Sequence, residues 1–200
     1  MNSVHLGTNY LWISFESIIL PLQLAAATRD STPSLDLGII AFVAISIGVL
    51  VSLFFGVLSD NHSIFWGKRG PYIIFGTVFT IIAIIFGLEP IKSVIVVLAI
   101  FVSIQIGSNI SSGTYQPLLR DLINEEQRGT SAGINGIFTL VGTAMGLGLT
   151  GYLTSEGEIS LSLMAIMVIL LVTSLITTFT IRKDDLPMPS RDFHPMKIFV

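Results

Sequence analysis

The stretch 93-SVIVVLAIFVSIQIGSNISSGTYQPLL-119 decides the fold. Its 27 residues carry no charge, and about 20 suffice to cross the ~30 Å hydrocarbon core of a bilayer as a helix. Within it Gln105, Ser108, Asn109, Ser112 and Gln116 fall at i, i+3, i+4, i+7 and i+11. That spacing puts all five on one helix face. Lipid penalises such a face, so it is expected to look onto protein or a water-filled cavity. The competing reading is interhelical bonding, which amides and hydroxyls also provide. Five such residues on one face favour the cavity.

The same apolar character continues outward in both directions. Six segments can be read: 6–27, 37–58, 71–88, 93–115, 130–153 and 160–181. The chain is 52% hydrophobic and 12% charged, against about 25% charge in a soluble domain, and its mean hydropathy is +0.82. The expected fold class is an all-α membrane protein of six transmembrane helices. Unbroken apolar runs lack the period-2 alternation of a membrane barrel. A net charge of −3 gives no basis for a nucleic-acid partner, and the absence of cysteine removes thiol chemistry.

Charge sets the expected orientation. Lys68, Arg69, Arg120, Arg128, Arg182, Lys183, Arg191 and Lys197 lie on one side of the spans, Arg29 and Lys92 on the other. By the positive-inside rule the chain is a multi-pass cell-membrane protein with both termini cytoplasmic. Residues 1–181 read as the bundle. Residues 182–200, with Pro187, Pro189 and Pro195, read as a cytoplasmic linker toward a second half.

Polar residues divide the spans. Asn9, Trp12, Glu16 and Gln23 in span one are spaced to form a narrow stripe. Glu16 falls near mid-span, where an ionisable group costs a few kcal/mol and defaults to function. It reads as a proton or cation site or a partner for a polar solute; the bland reading is a structural hydrogen bond to another helix. Asn135 in span five either reaches the cavity or bonds another helix. Spans three and six offer only Ser, Thr and Gly and are expected to face lipid. Gly129-xxx-Gly133 and Gly142-xxx-Gly146 in span five allow close helix approach. Spans one and four head two triplets, and an odd-numbered repeat must be inverted in the membrane, giving a 3+3 pattern.

The loop after span two reads Gly56-Val-Leu-Ser-Asp60-Asn-His-Ser-Ile-Phe-Trp66-Gly67-Lys68-Arg69-Gly-Pro71-Tyr72. A carboxylate at a helix end, a glycine turn and two cations can form a latch; ordinary loop charge is the alternative. This loop resembles that of the major facilitator superfamily. The step from Asp60 to Gly67 is similar to the glycoside–pentoside–hexuronide cation symporters and sucrose-type transporters. Pro117-Leu-Leu-Arg-Asp121-Leu122 followed by Arg128-Gly129 resembles the same families' next loop. The resemblance implies one six-helix half of a twelve-helix transporter, with helices one and four lining the cavity. It also implies cytoplasmic gate roles for Gly56, Asp60, Gly67, Lys68, Arg69, Asp121 and Arg128. Gly70 departs from the family's usual basic residue. Sodium-coupled members use carboxylates in helices two and four, and Asp36 and Asp60 sit only at span ends. A coupling proton is therefore expected over sodium.

The expected function is secondary transport of a small polar solute, a sugar or glycoside, by alternating access, with the missing wall supplied by a second six-helix half or a homodimer. The alternative is a non-transporting remnant or a membrane interaction subunit. An enzyme is not expected: His5, His62 and His194 have no metal-ligand spacing, and no phosphate-binding Gly-rich loop is present, so no metal and no cofactor are called for.

Overall fold

The computed structural model describes residues 3–27, 33–61, 69–88, 91–122 and 125–180, with side chains at all of these except 33–36, 60, 61, 117–122 and 125. Among the described residues six long helices follow one another: α1 (Ser3–Ala27), α2 (Pro33–Asn61), α3 (Gly70–Ile85), α4 (Val94–Leu122), α5 (Arg128–Ser155) and α6 (Ile159–Thr180). Five are long and apolar enough to cross a membrane. The exception is α3, whose 16 residues rise only about 24 Å. Proline opens α2 and sits in the first turn of α3, where a missing N–H costs little. The expected span 71–88 is longer than α3 because the helix ends at Ile85 in a turn closed by Gly87 N–H to Ile84 O, 2.8 Å.

Packing follows the triplets. α4 lies along α2 and α3, while α1 lies along α5 and α6; α3 and α6 join the two groups. Exchanging each helix with the one three later maps these pairings onto themselves. That is the contact pattern of a 3+3 repeat.

Glycine allows a close crossing of α3 and α4. A Cβ on Gly107 would fall 2.5 Å from Thr80 Oγ1, 2.7 Å from Thr80 N and 2.9 Å from Gly76 O. The backbones of α3 and α4 can approach this closely only without side chains. The glycines of α5 split in two. Gly142 and Gly146 press on Leu6 and Ile13 of α1, whereas a Cβ on Gly129, Gly133 or Gly136 would meet no described atom within 4 Å.

Hydroxyls cross-link the helices. Thr77 Oγ1 donates to Ser174 Oγ (2.8 Å), and Ser111 Oγ donates to Ile73 O (2.8 Å). Spans three and six therefore spend part of their Ser and Thr on one another. The least buried helices are α2 and α5: 11% of the α5 span is buried, against 50% for α4.

Two π turns interrupt the α-helical pattern, Phe15–Ile19 in α1 and Gly146–Thr150 in α5. They meet. Thr150 Oγ1 donates to Ser14 Oγ at 2.8 Å and lies 3.1 Å from Tyr10 OH, with all three side chains buried. Thr150 has one proton, so Tyr10 must be the donor in the second bond. Thr150→Val should cost about 1 kcal/mol, because it strands two buried hydroxyls. Thr150→Ser should retain most of that stability. Reversible unfolding of both variants in mixed detergent checks this.

Candidate functional site

A cavity of about 250 Å³ opens between the first half of α1 and the last half of α4. From α1 come Val4, His5, Thr8, Asn9 and Trp12; from α4 come Asn109, Ser112, Tyr115 and Gln116. Each set lies on one helix face, as spacings of three and four residues require. His5 and Tyr115 meet edge to face across the gap, with ring centroids 5.1 Å apart and planes at 75°. No described lining residue is an acid, lysine or arginine.

The two asparagines are held in fixed orientations. Asn9 Nδ2 donates to His5 O at 2.8 Å and to Thr139 Oγ1 at 3.4 Å. Asn109 Nδ2 donates to Gln105 O and to Gln105 Oε1, both at 2.9 Å. Room for this pair comes from α2: a Cβ on Gly48 would fall 2.6 Å from Asn109 Nδ2 and 2.7 Å from Gln105 Oε1.

The structure brings together Asn9, Trp12, Asn109 and Ser112, and with them Gln116. The other stripe residues lie elsewhere. Gln105 is buried and serves as acceptor for Asn109. Ser108 is buried and its hydroxyl bonds back to Ile104 O at 2.8 Å, a habit of serine within helices. Glu16 does not line the cavity. It sits half-buried in the π turn of α1 and makes no hydrogen bond or ion pair with another described residue. Gln23 lies beyond that turn, buried, with Nε2 donating to Gly87 O at 2.9 Å. One residue inserted into a helical turn rotates everything after it by about 100°. The spacing that put Gln23 on the Asn9 stripe assumed an uninterrupted helix. Asn135 on α5 also stands apart from the cavity, with Oδ1 buried and unpartnered among the described residues.

The loop motif is only partly in view. Gly56 faces α4, where a Cβ would lie 3.3 Å from Gly113 O. Asp60 and Asp121 fall in the last turns of α2 and α4, with their side chains outside the described set. Gly67 and Lys68 lie outside the described residues. Arg69 is buried and precedes α3, and Arg128 is exposed as the first residue of α5.

His5, Thr8 and Tyr115 line the cavity without having been read as cavity residues in the sequence. A signal existed for His5: it lies four residues before Asn9 and seven before Trp12, so the stripe of span one extends a turn further. Tyr115 passed as the apolar end of its span.

Residues 5–195 match the sequence profile described as Major Facilitator Superfamily. No curated protein matches the chain.

Proposed function

The chain belongs to the Major Facilitator Superfamily of secondary transporters, and on that premise we propose that it carries a small neutral polar solute, a sugar or glycoside, through the α1–α4 cavity by alternating access. The observation that carries this reading is the cavity wall itself. It combines amides, hydroxyls and the Trp12 ring with no fixed charge among its described residues. Pockets of this kind orient a ligand with a few polar groups against an apolar face, and an indole offers a flat apolar surface with a polar edge.

Further parts of the reading are proposals of the same standing. Glu16 carries the coupling proton, because a mid-span carboxyl without a partner among the described residues can gain and lose one. The cavity opens to the cytoplasm, as the distribution of Lys and Arg favours. A second six-helix half or a second copy of the chain supplies the missing wall. Asp60, Gly67, Lys68, Arg69, Asp121 and Arg128 form the cytoplasmic gate, and the loop pattern supports the glycoside–pentoside–hexuronide or sucrose-type branch.

Trp12 supplies the test. The chain has two tryptophans, Trp12 and Trp66. In a Trp66→Phe background, Trp12 emission from the chain in lipid nanodiscs should shift saturably on titration with methyl glucosides, galactosides or xylosides. Trp12→Ala should abolish binding of the same sugars by calorimetry. A shift produced only by amino acids or organic ions, or by nothing in the panel, would reject the reading.

A further inference from the structure

The protons of the two cavity asparagines are already spent. Each amide has two N–H bonds. Those of Asn9 go to His5 O and Thr139 Oγ1, and those of Asn109 go to Gln105 O and Gln105 Oε1. The choice of nitrogen over oxygen in each amide is not arbitrary. Assignments of this kind follow from the partners, and a main-chain carbonyl can only accept. His5 O and Gln105 O therefore require the amide nitrogen on their side. The Oδ1 atoms of Asn9 and Asn109 accept no hydrogen bond from another described residue, and both residues line the cavity.

We infer that the cavity selects its solute through donated protons: two neutral carbonyl oxygens, one from each wall, accept hydrogen bonds from hydroxyl groups of the solute. This rests on the cavity being the solute site, and it narrows the class. A solute rich in acceptors but poor in donors, such as an ether or a permethylated sugar, leaves both oxygens dry and unpaired, which a closed site penalises. A carboxylate or phosphate solute meets two more acceptors and no cation among the described lining residues. An ammonium meets acceptors but no counter-charge, and a desolvated unpaired charge is costly. A neutral polyol suits both oxygens, with its C–H face left for Trp12.

The experiment changes the ligand before the protein, so folding does not enter. Starting from the methyl glycoside that shifts Trp12 most, each hydroxyl is replaced in turn by fluorine and by O-methyl. Fluorine keeps the size of the site occupant but cannot donate. We expect at least two ring positions where both replacements weaken binding by about tenfold or more, the scale of one lost hydrogen bond in a dry site. At one of them the fluoro penalty should disappear in Asn109→Leu, and at the other in Asn9→Leu, because the acceptor has gone. Fluoro analogues that bind like the parent at every position would overturn the inference and leave the transport reading intact. No binding by any parent glycoside would instead reject the site itself.

Discussion

Gly107→Leu is expected to leave too little folded bundle to purify. The argument is steric. A Cβ at this position meets Thr80 N at 2.7 Å and Gly76 O at 2.9 Å, and both are main-chain atoms that cannot swing aside. Leucine adds three further carbons behind the first. Overpacking a fitted interface costs about 1–3 kcal/mol and sometimes more, and here α3 and α4 would have to separate along their crossing. That crossing also carries the Ser111 to Ile73 bond and the Thr77 to Ser174 bond into α6, so separation would undo neighbouring links too. Gly107→Ala should give an intermediate loss. Gly133→Leu is the matched control, since no described atom lies within 4 Å of a Cβ added there. Size-exclusion profiles and unfolding midpoints in detergent would show the contrast. A Gly107→Leu bundle as stable as the parent would mean that α3 and α4 do not cross at this pair.

Glu16→Gln carries the largest expected effect on transport. Glutamine keeps the shape and hydrogen-bonding reach of the side chain but cannot bind and release a proton. If Glu16 couples transport, accumulation against a gradient in proteoliposomes should fall to the background of empty vesicles. Exchange of solute across the same membrane should persist, because exchange needs no net proton movement. Glu16 sits outside the cavity wall, so glycoside affinity measured through Trp12 should change little. Uphill accumulation at the parental rate in the variant would remove Glu16 from the mechanism.

Much of the architecture was legible in the apolar runs. Lipid and packed core both demand hydrophobic side chains over a fixed length, so six spans could be placed before any contact was known. Pro71 marked the start of α3, whereas α2 begins at Pro33, four residues before the expected span. The cavity was half legible: Asn9, Trp12, Asn109 and Ser112 follow from helical spacing alone. What failed to show was the commitment of individual polar groups. Nothing in the spacing tells that Ser108 bonds to its own helix, or that Gln105 serves Asn109 and is seated by Gly48 on another helix. Those are tertiary choices made by neighbours far away in sequence. The π turns were equally hidden, since Phe15–Ile19 and Gly146–Thr150 carry no proline and no residue that forces an i to i+5 bond. The Thr150 to Ser14 bond beside them joins residues far apart in sequence and is equally invisible in the spacing.

The interruption at Phe15–Ile19 has a consequence for how one rod serves two masters. Before it, α1 packs along α5 and α6; after it, the rod turns toward α2 and α4, and Gln23 fastens to the hairpin that follows α3. A straight helix would keep a single azimuth along its length and could suit only one of these surroundings. The surplus residue works as a phase shifter between them, and Glu16, seated inside it, belongs fully to neither.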